Sequence, residues 1–112
     1  MHEMSIAESL IELIEEECQR QGFTHVSRVS VRIGMLSAVE PDALRFCFDA
    51  AATGSIAQGV GLVLITVPGE GYCMRCQRTV AMTERYMPCP TCGEHVRLTA
   101  GDELRLAELE IE

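Results

Sequence analysis

The chain has 112 residues, a formal net charge of −8, 47% hydrophobic residues and only 4% aromatic ones, with no Trp. That length fits one domain with a small appendage, and its core must be thin and built on aliphatic side chains. All nine basic residues are Arg, and so acidic a chain suits a phosphate backbone poorly, which argues against nucleic-acid binding while suiting a handler of cations or a basic partner.

The first residues, Met1-His2-Glu3-Met4, have no basic leader, and the apolar positions of 6–14 are broken by Glu8, Ser9 and Glu12. Neither a signal peptide nor a membrane span is expected, which places the chain in the reducing cytosol with free thiols.

Residues 5–21 read as an amphipathic helix. Ile6, Leu10, Leu13, Ile14 and Cys18 form its apolar stripe, while Glu8, Glu12, Glu15 and Glu16 lie away from it as a solvated face. Ser5 with Glu8 has the pattern of a capping box, and Gly22 ends the helix. Met1–Met4 would then form a short arm. Its amino group, the His2 imidazole and the peptide nitrogens of His2 and Glu3 are nitrogen donors of the kind that suits Ni²⁺ or Cu²⁺. On its own the signal is weak, because a histidine near a terminus is ordinarily a solvated side chain.

Residues 26–34 alternate Val29, Val31 and Ile33 with Arg28, Ser30 and Arg32, a strand with one buried face. Ser37 with Glu40, followed by Pro41, marks a helix start. Leu44, Cys47, Phe48 and Ala51 carry that helix to about Thr53, with Phe46, Cys47 and Phe48 expected in the core. Cys18 and Cys47, on apolar helix faces, are read as packing residues. Residues 62–67 are a nearly continuous apolar strand, expected to be central or well covered, and parallel to 26–34.

Cys73-Met74-Arg75-Cys76 and Cys89-Pro90-Thr91-Cys92 are two Cys-x-x-Cys knuckles whose spacing lets four sulfurs converge on one tetrahedral ion. Backbone N–H groups of each turn point at the sulfurs, and Gly93 suits a positive φ beside the second pair. Zinc is the first choice for four thiolates. Iron in a rubredoxin-like centre is the second, and two disulfides are the remaining alternative. A closed four-thiolate site leaves no position for substrate and is structural rather than catalytic. Within this stretch, 79–82 and 95–99 read as short strands and 70–72 as a lead-in.

Residues 103–112 read as a final strand whose apolar phase changes from Leu104 and Leu106 to Leu109 and Ile111, so a β-bulge is expected near Leu106–Ala107. The expected fold is α+β: a small mixed three-stranded sheet packed by two helices, with an inserted zinc-ribbon-like module. Residues 1–68 plus 100–112 form the body and 69–99 the module.

Taken together, Met1-His2-Glu3-Met4-Ser5, the run from Val39 to Phe48, Gly101-Asp102-Glu103-Leu104 and the four cysteines resemble the HypA/HybF family of nickel metallochaperones for [NiFe]-hydrogenase maturation. Met35 departs from the family pattern, which often has Glu there. The resemblance implies Ni(II) as transient cargo at His2, with Met1 and Glu3 assisting, and Zn(II) held by Cys73, Cys76, Cys89 and Cys92. It further implies a HypB-like GTPase partner, delivery to a hydrogenase large-subunit precursor, no catalysis, no membrane and no nucleic acid, and it leaves a homodimer open. His95 could add a nickel ligand, although a surface histidine is the plainer reading, and His25 has no motif behind it. The rival readings are a zinc-ribbon adaptor between proteins and a rubredoxin-like electron carrier.

Overall fold

The structure is a computed structural model that describes residues 3–111. Eight elements follow one another: α1 (Glu3–Gln21), β1 (Val26–Gly34), α2 (Pro41–Ala52), β2 (Gly61–Val67), β3 (Glu70–Cys73), β4 (Arg78–Ala81), β5 (Val96–Ala100) and β6 (Leu104–Ile111). They form two three-stranded sheets, ordered β2-β1-β6 and β4-β3-β5. The first sheet is mixed, with β1 parallel to β2 and antiparallel to β6. The second is antiparallel throughout and is inserted between β2 and β6.

Among the described residues α1 begins at Glu3, ahead of the expected Ser5 cap, so Glu3 and Met4, expected in a free arm, are helical. Its buried face is Ala7, Leu10, Ile11, Ile14 and Cys18. Leu13, expected on that stripe, is 47% exposed, because the stripe turns toward Ala7 and Ile11 instead. A helix packed by i, i+3, i+4 and i+7 positions accepts small residues where neighbours approach closely.

α2 differs at its start. The Glu40 side chain accepts from Ala43 N at 2.7 Å and Pro41 occupies the first turn, so Glu40 is the cap. Ser37 instead closes the preceding turn, donating to the Gly34 carbonyl at 2.7 Å. Leu44 and Phe48 are fully buried. Phe46, expected in the core, is 75% exposed: it stands two residues from Phe48 and therefore on the other side of the helix.

β1, not β2, is central. β2 is an edge strand with Val63 and Ile65 partly exposed, which corrects the expectation from its apolar run. Such a run cannot distinguish coverage on two faces from coverage on one. The register of β1 against β6 shifts where Ser30 faces Glu108 and Val31 faces Leu106, leaving Ala107 as the extra residue. That bulge lets Leu104, Leu106 and Leu109 all pack on the helix-covered core.

The two sheets meet at a glycine joint. A Cβ at Gly34 would lie 2.1 Å from the Gly101 carbonyl oxygen, and one at Gly101 would lie 2.4 Å from Gly69 Cα. Backbones touch there with no room for side chains. Leu36 crosses the joint and is buried with the second cluster, and Arg85 Nε donates to the Leu36 carbonyl at 3.0 Å.

Candidate metal centre

The residues 70–72, expected as a lead-in, are instead most of β3, the central strand of the second sheet. β3 carries Cys73 at its end, and the turn that follows returns Cys76 beside it. Gln77 N donates to the Cys73 carbonyl at 2.8 Å and Cys76 N lies 3.4 Å from Cys73 Sγ, so the first knuckle aims its amides as expected. The second knuckle closes in the same way. Gly93 N donates to the Cys89 carbonyl at 2.9 Å, and Gly93 takes φ +76°, which favours glycine. Arg78 donates to Thr91, and Arg75 pairs with Glu94 at 3.2 Å, so both knuckles are tied across the cluster.

The four sulfurs of Cys73, Cys76, Cys89 and Cys92 all lie within 4.8 Å of one another. Cys73 Sγ is 3.5 Å from Cys92 Sγ, and Cys76 Sγ is 4.0 Å from Cys89 Sγ. A tetrahedral ion with metal–sulfur bonds of about 2.3 Å separates its sulfurs by about 3.8 Å. The observed separations straddle that value and exceed any disulfide, and all four cysteines are free, so this donor set fits a divalent metal. Cys73 and Cys89 are buried and their partners half-buried.

Protons are unevenly shared in the cluster. The N–H groups of Cys92 and then Thr91 hold the Cys89 thiol down to about 6. Cys76 is pushed up to about 12, first by hydrogen bonding to Cys92 and then by burial. One sulfur is thus poised to ionise first, and a metal must displace the protons that remain.

In the body, Glu3 opens α1 with its carboxylate 3.4 Å from the backbone nitrogen of Glu40, which donates to it. Residues 3 and 40, far apart in sequence, meet where the two helices begin. Of the predicted nickel donors, Met1 and His2 lie outside the described residues. His95 is exposed on the cysteine module, as is His25 ahead of β1. Among the described residues, the four cysteines are the only His, Cys, Asp or Glu group of three or more that could hold a metal.

A model of the HypA family, described as hydrogenase/urease nickel incorporation metallochaperones, matches residues 1–111. The chain belongs to the HypA family. It is 53% identical over 113 residues to the hydrogenase maturation factor HypA of Dechloromonas aromatica, and 48% identical to that of Azotobacter vinelandii, with both chains fully covered in each case. The solution structure of the nickel metallochaperone HypA from Helicobacter pylori superposes with a TM-score of 0.74 at 30% identity, covering 99% of this chain and 97% of that one. Membership in the HypA family makes the chain a hydrogenase-maturation nickel metallochaperone rather than an enzyme. Among the described residues, no helix is long and apolar enough to cross a membrane.

Sequence reasoning missed Glu40 in this HypA-family chain. It placed Glu40 only in a capping pattern, whereas Glu40 both caps α2 and meets Glu3. No local signal marks that meeting, because it depends on how α1 and α2 pack.

Proposed function

We propose that the chain binds Ni(II) through the Met1 amine and the His2 imidazole, with Glu3 assisting, and delivers it during [NiFe]-hydrogenase maturation. The observation that carries this is the full-length match to nickel metallochaperones in a chain opening Met1-His2-Glu3. Nitrogen donors suit Ni²⁺, while four converging thiolates suit zinc, so ligand softness sorts the two metals. Glu3 supports the reading further: its contact with Glu40 anchors the start of α1, directly after the proposed donors.

In this reading, Cys73, Cys76, Cys89 and Cys92 would hold Zn(II), which supplies a structural tie and no chemistry. Residues 1–68 plus 100–112 form the nickel-binding body, and 69–99 form the zinc module. A cytoplasmic HypB-like GTPase and the hydrogenase large-subunit precursor are the partners that such a delivery needs. His95, exposed on the module, is not among the ligands proposed here.

Nickel titration of the untagged protein tests the proposal beside His2→Ala and a variant extended before Met1. Both variants should weaken nickel binding by more than about 100-fold, the upper range for losing only an outer-shell partner. Both should retain zinc and fold. An unperturbed α-amine and imidazole have reference pKa values of about 7.7–8.0 and about 6.5, and protons compete with a metal below those values. Affinity should therefore fall steeply from pH 8 to pH 6. A flat profile, or an extended protein that binds as well as the native one, would refute terminal-nitrogen ligation.

A further inference from the structure

Among the described residues, β6 has β1 on one side and no strand on the other. Its outer N–H and C=O groups form an open template for pairing. Natural edges are commonly blunted by Lys, by Pro or by being short, yet β6 runs for eight residues with neither of those side chains. Its protection is the bulge at Ala107 and the charges of Arg105, Glu108 and Glu110, which admit a partner of complementary charge.

Beside this edge, two adjoining clefts of about 440 and 410 Å³ run between α1 and β6 and share Glu17 and Leu106. Leu13, Phe23 and Ile111 line them and are 47%, 38% and 36% exposed. An open strand edge flanked by an apolar groove is the geometry of recognition by strand addition, where backbone bonds give affinity and alternate side chains give specificity.

Charge selects the occupant. The core-facing positions of β6 are Leu104, Leu106 and Leu109, so an added strand continues the sheet with apolar residues on that face. On the other face stand Arg105, Glu108 and Glu110. Glu110 is engaged by Arg28 at 3.4 Å, but Glu108 has no ion pair among the described residues. Glu108 and Glu17 both line the groove, Glu17 already paired with Arg20 at 2.5 Å, and the chain carries −8, so Glu108 is the carboxylate left to meet a basic side chain. A second copy fits badly: pairing β6 with itself so that Leu106 meets Leu109 brings two Glu108 carboxylates together and joins two bodies of like charge.

We propose that the β6 edge and the α1 groove dock an extended segment of a partner protein, with apolar residues alternating with Arg or Lys, as a fourth strand of the sheet.

The test uses the isotope-labelled, zinc-loaded full chain and two synthetic heptapeptides, one alternating arginine with valine and the other alternating glutamate with valine. The arginine peptide should shift the amides of β6 and of α1 around Leu13, and the glutamate peptide should not. Leu13→Ser, at an exposed position that leaves the core intact, should weaken the arginine peptide about tenfold. Glu108→Arg should weaken it as well and admit the glutamate peptide. Equal binding of both peptides, shifts confined to other surfaces, or no shift at millimolar peptide would overturn the proposal. So would concentration-dependent shifts of β6 without peptide, which would make a second copy the occupant.

Discussion

The helix-backed sheet and the cysteine module are held together by different physics. Among the described residues, the first buries fifteen side chains in one cluster, centred on Ile14, Val29, Ile33, Leu44 and Phe48. The second buries six, of which Cys73 and Cys89 belong to the proposed metal site and Leu36 comes from the loop after β1. Three aliphatic or thioether side chains of its own are too few to offset the entropy of ordering three strands. One region can therefore stand on apolar burial, whereas the other needs an ion.

Removing the metal separates them most sharply. A structural Zn²⁺ contributes about 10–16 kcal/mol to small folding units at neutral pH. Chelation or Cys73→Ser should therefore abolish amide-exchange protection in β3, β4 and β5, while β1 and α2 keep theirs. Equal loss in both sheets would erase the distinction.

Substitutions in the body should act by degrees. Phe48→Ala deletes a side chain 1% exposed and should cost about 3–5 kcal/mol in urea unfolding. Gly34→Ala places a Cβ against the Gly101 backbone at the joint and should cost about 1–3 kcal/mol, since neither strand can yield easily. Phe46→Ala, on the exposed side of the same helix as Phe48, should stay within about 0.5 kcal/mol. If Phe46→Ala destabilised as much as Phe48→Ala, the assignment of the α2 faces would be wrong.

The same contrast explains what the sequence made legible. In β1, strict alternation identified Val29, Val31 and Ile33 as buried, and the phase change in β6 located the bulge at Ala107. Two-fold periodicity states a face directly. The cysteine cluster was legible for a different reason, since knuckle spacing constrains geometry without any knowledge of packing. The errors fell where neighbours decide. Leu13 fits a helical stripe as well as Ile11 does, and only the packing of α1 chooses between them. Phe46 is apolar but faces outward, and β2 reads as buried although it is an edge. β3 was overlooked because Glu70 and Gly71 carry little strand propensity and Tyr72 alone does not make a strand pattern, and its pairing on both sides supplies what the sequence lacks. The contact of Glu3 with Glu40 is tertiary and had no local mark.

X-ray absorption at the zinc and nickel edges of one doubly loaded sample tests most directly the claim that sulfur and nitrogen hold different ions in different places. The account predicts zinc surrounded by four sulfurs at about 2.3 Å, and nickel surrounded by nitrogen and oxygen with no sulfur in its coordination shell. A sulfur shell around nickel, or nitrogen in place of sulfur around zinc, would contradict it.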